Sequence, residues 1–383
     1  MRILYFAETI KSNQDGVTRV LDKIIEYNKK NGIEFLFITS VADGNENANI
    51  DFILTRSLPI PGYKGYRFSI STESEIIKML NGFKPDLIHI HSPFLLGWMA
   101  TRIARKLDIP CIATYHTHFV SYVKYYGSSF LEPLLNAHNR LVYNACDLTI
   151  APSQWIYSYL KEIHVQNLLV LSHGVDLDVF NPKFKSQVWR SQYSSDKRIL
   201  LYVGRIVWEK NLKILADVLN ELYSVRNDFE FVFIGDGPAL ESLKKIIPRA
   251  YFAGLKTGEE LSTIYASSDV FVFPSETETF GNVTLEAMAS GLPCIVANKG
   301  GSVDLVKEME SGLLFNPYDS LGLKKAITLM LDNPEIRDQL SSGALEMAER
   351  YSWSTILAKQ EEIYRNLIKK NLNVSDTISV LNV

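Results

Sequence analysis

Short apolar runs alternate with amphipathic stretches twice over, and no other feature narrows the fold as much. In the first series, strand-like runs at 3–7, 35–39, 87–90, 111–114, 148–150 and 168–171 are separated by helical spacing at 17–27, 74–80, 95–107 and 129–144. A further short strand is read at 51–54, and Ser153 stands where it would cap another helix. A second series begins with a strand at 199–203, a helix at 212–223 and a strand at 229–234, and continues with strands near Tyr251, Val270, Cys294 and Leu313. Such alternation builds mostly parallel sheets with helices on both faces. We therefore expect an α/β protein of two doubly wound, Rossmann-like domains, 1–175 and 190–350. The polar stretch 172–197, punctuated by Gly and Pro, reads as the linker. Ligands of such sheets bind beyond the carboxyl ends of the strands, so both domains would offer loops to a central cleft.

The length of 383 residues suffices for two separate cores. A net charge of −3 gives no general signal for nucleic acid. The C-terminal half is the more acidic one, so any phosphate it binds must be held by local charges. Cys111, Cys146 and Cys294 lie far apart without metal-ligand spacing and read as reduced core residues of a cytoplasmic protein. The opening MRILYFAETI resembles a first strand more than a signal peptide, and no apolar run approaches the roughly 18 residues of a bilayer span. The end of the chain, 371–383, reads as a frayed polar tail.

Five constellations could carry chemistry. Pro274 to Gly291, PSETETFGNVTLEAMASG, puts Glu278 before a helix starting near Asn282, and Glu286 about one turn into it. Helix N-terminal amides hold anions, and a carboxylate in that first turn can accept ribose hydroxyls, so the stretch suits a sugar joined to a phosphate. The plainer alternatives are a dipole partner for Glu278 and a solvated face for Glu286. Gly204-Arg205, followed by Glu209-Lys210-Asn211, comes straight after a strand, where two fixed positive charges would neutralise a departing diphosphate or merely decorate a turn. Gly235-Asp236-Gly237-Pro238 repeats that placement and is equally open to reading as a tight turn. Asp15-Gly16-Val17-Thr18 puts Gly16 at a helix start in the first domain, where a phosphate could approach the backbone. His116 and His118 follow the strand at 111–114; His116 is placed to hydrogen-bond a sugar, while His118 and His91 suit ordinary polar or core contacts. The four histidines His89, His91, His116 and His118 lack the spacing of a zinc motif.

Taken together, these residues resemble the retaining nucleotide-sugar glycosyltransferases of family 4, which have the two-Rossmann GT-B architecture. The likeness runs from the Gly16 loop to Trp353, and its most specific part is E-x-F-G-x-x-x-x-E, Glu278 to Glu286, with Gly-Arg and Glu-Lys-Asn at 204–211. The resemblance implies that Arg205 and Lys210 hold the diphosphate, Glu278 and His116 contact the donor sugar, and Glu286 binds the ribose. It implies that the backbone at Phe280, Gly281 and Asn282 meets sugar and β-phosphate, that Gly204, Gly235 and Gly237 shape the nucleotide loops, and that Gly16 approaches the phosphates. It also implies no metal or other cofactor, and a C-terminal helix, 351–370, crossing back to the first domain. Departures are Asp15 for a common glycine, Thr279 for a common proline, and His173-Gly174 for Asn-Gly. The stretch HTHFVSYVKYYG, His116 to Gly127, is similar to GDP-mannose-dependent α-mannosyltransferases and less closely to glycolipid synthases. The expected donor is GDP-mannose ahead of a UDP-hexose, and the expected acceptor a lipid or glycan. His118, Tyr122, Lys124 and Tyr125 are candidates for acceptor or anionic-membrane contact, which would bring the protein to the inner face of the membrane. The alternatives are a synthase of a soluble disaccharide or small glycoside and a non-catalytic nucleotide-sugar-binding module.

Overall fold

The computed structural model describes residues 1–10, 16–42, 52–59, 67–125, 127–194 and 196–369, with only the backbone at Phe68, Tyr122 and Lys124. Asp15, Asp51 and the tail 371–383 therefore lie outside the described residues, as do the side chains of Tyr122 and Lys124. The chain divides into two compact units. One comprises residues 1–172 together with 356–383, and the other residues 173–355.

The first unit is built on strands β1 (Arg2–Phe6), β2 (Glu34–Thr39), β3 (Phe52–Leu54), β4 (Leu87–Ile90), β5 (Cys111–Thr114), β6 (Leu148–Ala151) and β7 (Leu168–Val170). They pair in the order β7-β6-β5-β4-β1-β2-β3, all parallel. β4, β5 and β6 are buried throughout, as expected of parallel strands covered on both faces. Helices α1 (Gly16–Lys30), α2 (Glu73–Met79), α3 (Leu95–Leu107), α4 (Phe119–Tyr125), α5 (Glu132–Tyr143) and α6 (Gln154–Glu162) connect them. α1 buries Val20, Leu21, Ile24 and Ile25 on one stripe and ends on Lys29 and Lys30, which suit the negative end of its dipole. Thr72 and Glu75 close a reciprocal capping box at the start of α2, and Ser153 caps α6. Five short pieces escaped the sequence reading: α4, a parallel pairing of Thr9–Ile10 with Val41–Ala42, and an antiparallel pairing of Ser57–Pro59 with Arg67–Ser69.

The second unit carries β8 (Arg198–Val203), β9 (Phe229–Ile234), β10 (Tyr251–Phe252), β11 (Val270–Phe273), β12 (Cys294–Ala297) and β13 (Gly312–Phe315) in the order β10-β9-β8-β11-β12-β13, again all parallel. Its helices are α7 (Gln187–Ser191), α8 (Leu212–Val225), α9 (Leu240–Ile246), α10 (Gly258–Ser267), α11 (Asn282–Ala289), α12 (Ser320–Asp332) and α13 (Pro334–Glu349). The stretch expected to be a linker is part of this unit. Val175 donates its N–H to the Tyr351 carbonyl, α7 buries Trp189, and Arg190 pairs with Asp269 at 2.9 Å. Polar composition misled here because its charges are satisfied internally. The last helix, α14 (Trp353–Ile368), starts at the edge of this unit, and from Ile356 onward it belongs to the first, where Tyr364 hydrogen-bonds His89 at 2.6 Å.

All three cysteines are free and buried. Cys111 and Cys146, distant in sequence, bring their sulfurs within 3.8 Å because they flank the neighbouring strands β5 and β6.

Candidate functional site

In each sheet the strand order reverses once, between β1 and β4 in the first unit and between β8 and β11 in the second. The chain leaves on opposite sides at such a point, which opens a crevice beyond the carboxyl ends of the strands. In the second unit the loops after β8 and β11 carry Gly204-Arg205 and Glu278.

The glycine loops after β8 and β9 pack backbone to backbone. Gly204 donates to the Ile234 carbonyl at 3.0 Å, and Ile206 donates to that of Asp236 at 2.9 Å. Gly235 has φ +137°, and a Cβ there would stand 1.9 Å from the Gly204 carbonyl oxygen, so no other residue fits. The Arg205 side chain is exposed. Its carbonyl accepts from the buried Tyr202 hydroxyl at 2.9 Å, which fixes the backbone from which the guanidinium extends. A short 3-10 turn, Trp208–Lys210, then leads through Asn211, at φ +57°, into α8. Lys210 Nζ donates to Glu278 Oε1 at 2.5 Å, with the two side chains 11% and 21% exposed. The two loops that border the crevice are thus joined by one mostly buried ion pair. Close by in sequence, Glu276 accepts from Lys299 Nζ and from the Tyr318 hydroxyl, each at 2.6 Å, tying the loop after β11 to those after β12 and β13.

Gly281 caps α11 at φ +105°, and a Cβ there would meet Ser302 Oγ at 2.3 Å. Its carbonyl accepts from Thr284 and Leu285, leaving the first-turn amides of α11 at the edge of the loop. Phe280 is buried beneath, 5.2 Å from the His173 ring and 6.1 Å from that of Tyr351. Asn282 Oδ1 lies 3.1 Å from His173 Nδ1. Burial lowers His173 to about 4, so its ring is neutral near pH 7. His173, noted in the sequence only as a departure, therefore supports the start of α11. Glu286 is 7% exposed and not on a solvated face; its Oε2 accepts from the Tyr265 hydroxyl at 3.0 Å. Tyr265 was missed because nothing local in the sequence ties α10 to α11. Gly237 packs against the Ile206 carbonyl and completes the group that the second unit brings together.

In the first unit, Gly16 opens α1 and is exposed. His116 lies just past the carboxyl end of β5, 7% exposed, with Nε2 at 2.8 Å from His91 Nδ1. His89 is fully buried between the Tyr364 hydroxyl and Thr114 Oγ1, and burial pushes its pKa well below the usual histidine value. His118 makes the core contacts that the sequence also allowed for it. It is 7% exposed, hydrogen-bonded to the Tyr115 hydroxyl at 2.8 Å and packed against Trp155 and Tyr159, which takes it off any surface able to meet a membrane. Tyr125 is half exposed. Among the described residues no group of three or more His, Cys, Asp or Glu could hold a metal ion. A cavity of about 670 Å³ lies at the amino-terminal ends of β5, β6 and β7, lined by Arg105, Asp108, Asn144 and Asp147. It is at the wrong end of the sheet for the crevice rule and holds none of the candidate site residues.

A family model described as Glycosyltransferase Family 4 matches residues 14–179, and one described as Glycosyl transferases group 1 matches residues 184–347. The chain is 36% identical over 385 residues to a sulfoquinovosyl transferase of Arabidopsis thaliana, across 96% of this chain and 74% of that one. It is 32% identical over 379 residues to a GDP-mannose-dependent alpha-mannosyltransferase of Corynebacterium glutamicum, across 96% and 89%. An alpha-monoglucosyldiacylglycerol synthase of Acholeplasma laidlawii is 27% identical over 401 residues, across 97% and 98%. Among solved structures, sucrose-phosphate synthase from Thermosynechococcus elongatus matches with a TM-score of 0.77 at 22% identity, covering 96% of this chain and 99% of that one. HepE from Anabaena, solved with UDP and glucose, matches with a TM-score of 0.74 at 19% identity, covering 94% and 98%.

Proposed function

Because this chain belongs to glycosyltransferase family 4, as a GT-B hexosyltransferase that uses a nucleotide sugar, we propose that it draws on GDP-mannose ahead of UDP-hexoses. The transfer retains configuration and makes an α-linkage to a lipid- or polysaccharide-linked acceptor. The observation that carries this reading is the Lys210–Glu278 pair at 2.5 Å, on the two loops that follow the strands flanking the switch point.

Lys210 and Arg205 supply positive charge to the departing diphosphate. An ammonium held in place by Glu278 needs little reorganisation as that charge develops. Glu278 contacts the transferred sugar, and Glu286 takes the ribose. The amides at the start of α11, with Phe280, Gly281 and Asn282, receive the sugar and β-phosphate. In the first unit His116 and Gly16 are the proposed sugar and phosphate contacts. As the bond to the diphosphate breaks, the acceptor hydroxyl attacks from the same face and gives its proton to the leaving phosphate oxygen. No residue then has to act as a covalent nucleophile, and the two basic side chains stand in for a metal.

A lipid acceptor is supported by the apolar residues around α5. Phe130, Leu134 and Leu141 are 79%, 67% and 58% exposed, and Arg140 lies on the same helix. No helix among the described residues is long and apolar enough to cross a membrane, so the contact proposed is peripheral, on an anionic cytoplasmic surface.

The test is release of nucleoside diphosphate from GDP-mannose, UDP-glucose, UDP-galactose and UDP-N-acetylglucosamine, with chelator present, with and without anionic vesicles containing diacylglycerol. We expect turnover of one donor, raised by the vesicles, and a fall of about 10²–10³-fold in Lys210→Ala. Neither binding nor turnover of any donor by folded protein would overturn the reading. Stimulation only by soluble sugars would remove the lipid acceptor.

A further inference from the structure

The Tyr265 hydroxyl donates to Glu286 Oε2 at 3.0 Å. Tyr265 is fully buried and Glu286 is 7% exposed. The tyrosine ring is itself held, edge-on to Phe180 with centroids 5.7 Å apart and tilted against Phe271 at 6.0 Å. These contacts come from separate parts of the second unit: α10 for Tyr265, α11 for Glu286, β11 for Phe271, and the segment before α7 for Phe180.

A glutamate on a short helix turns freely about its last bond unless something fixes the carboxylate plane. A buried phenol can do so without adding charge, and without competing for a phosphate as a lysine would. An ionised carboxylate offers about four acceptor directions, of which Tyr265 uses one. A carboxylate held in this way has its plane set before any ligand arrives. The vicinal 2′,3′-diol of a ribose presents two hydroxyl donors side by side, which suits a carboxylate whose plane is already set. Orientation made in advance is orientation that binding need not supply.

We infer that Tyr265 is a positioning residue that sets the Glu286 carboxylate to read the ribose hydroxyls, and so governs how strongly the protein prefers a ribonucleotide to its 2′-deoxy counterpart. This rests on the assignment of Glu286 to the ribose made above. The preference is a sharper reporter than affinity. A loss of general packing weakens ribo and deoxyribo ligands alike, whereas a loss of carboxylate aim weakens the ligand with both hydroxyls more than the one that keeps only the 3′-hydroxyl. Since the ribose is remote from the reacting carbon, KM for the donor should rise with kcat nearly unchanged.

The experiment is calorimetric titration of the full chain with GDP and 2′-deoxy-GDP, and with UDP and 2′-deoxy-UDP, for the wild type, Tyr265→Phe and Glu286→Ala. We expect the wild type to favour the ribonucleotide by about tenfold or more, as for hydrogen bonds to a charged group. In Tyr265→Phe that ratio should fall about three- to tenfold, because the 2′-deoxynucleotide, with only its 3′-hydroxyl on the carboxylate, loses less affinity than the ribonucleotide. Glu286→Ala should bring the ratio close to one. An unchanged ratio in Tyr265→Phe beside a collapsed ratio in Glu286→Ala overturns the role of Tyr265 and leaves Glu286 as the ribose ligand. An unchanged ratio in Glu286→Ala overturns both, and absence of any nucleotide binding by the wild type removes the donor reading itself.

Discussion

Glu8 stands just past the carboxyl end of β1, where Oε1 accepts from the Leu96 N–H and Oε2 from the Ser40 hydroxyl, each at 3.4 Å. Burial outweighs those bonds and pushes its carboxyl up to about 7. His173, in the other unit, is lowered to about 4 by the same cause acting on the opposite charge. The two therefore bias stability in opposite directions. Folded Glu8 holds its proton where an unfolded chain has lost it, so its contribution is complete below about pH 4.5 and disappears as pH rises through 7. Folded His173 stays neutral where an unfolded chain is protonated, so its contribution is complete above about pH 6.5 and disappears as pH falls through 4. Each is on the order of 3 kcal/mol. Amide hydrogen exchange at pH 5 and pH 7.5 should show protection falling with pH in residues 1–172 and rising in residues 173–355. Glu8→Gln should flatten the first trend and leave the second; a first trend unaltered in that variant would take Glu8 out of it. At this scale the residues directly after strands were legible, because glycine, arginine and glutamate there follow from what a strand end can hold. Tyr265, the pairing of His91 with His116 and the aim of Asn282 toward His173 were not, since each depends on through-space neighbours that no local spacing encodes.

At the scale of elements, long helices and fully buried strands came through best: 87–90, 95–107 and 111–114 are seen with the boundaries read from periodicity. Short pieces did not, and the clearest case is α7. Its five residues carry too little pattern for a helix, yet Ser186 caps it and its Arg190 is nearly enclosed. Arg190 Nη1 donates to the Ser267 carbonyl at 2.6 Å and to Asp269 Oδ2 at 2.9 Å, and Nη2 donates to the Lys197 carbonyl at 3.1 Å. Asp269 in turn accepts from the Ile199 N–H at 2.7 Å, at the start of β8. One guanidinium thus anchors the entry to the second sheet. Arg190→Ala leaves Asp269 buried with Arg198 as its remaining cation, at 3.5 Å, and should cost about 3–5 kcal/mol in denaturant unfolding. Arg190→Met, which keeps the volume, should still lose the charge pairing and most of that stability. A loss below about 1 kcal/mol in both would show that the element is not anchored this way.

Across the whole molecule, two series of alternating strands and helices became two parallel sheets with the same reversal of order, and this was the most readable level of all. Alternation repeated over some 350 residues averages out local ambiguity, and right-handed crossovers leave few ways to wind the sheet. What alternation does not announce is that one unit is interrupted by the other. The second unit is a single stretch of chain, 173–355, and the first is completed only by residues beyond 355. Tyr364 closes over His89, Gln360 donates to the Tyr364 hydroxyl at 2.6 Å, and the Tyr27 hydroxyl donates to Glu361 at 2.8 Å. Expressed alone, 173–355 should give a cooperative unfolding transition, whereas 1–172 should bind hydrophobic dyes and be cleaved readily until 356–369 is supplied. Protease resistance of 1–172 by itself would contradict this. In the cell the order of synthesis makes the same division temporal. The ribosome releases the second unit's sequence whole, but at about 5–20 residues per second it takes roughly 10–40 s after residue 172 to deliver the helix that the first unit lacks. For that interval the nascent first unit carries an unfinished core around His89, which makes it the part of this chain a chaperone would be expected to hold.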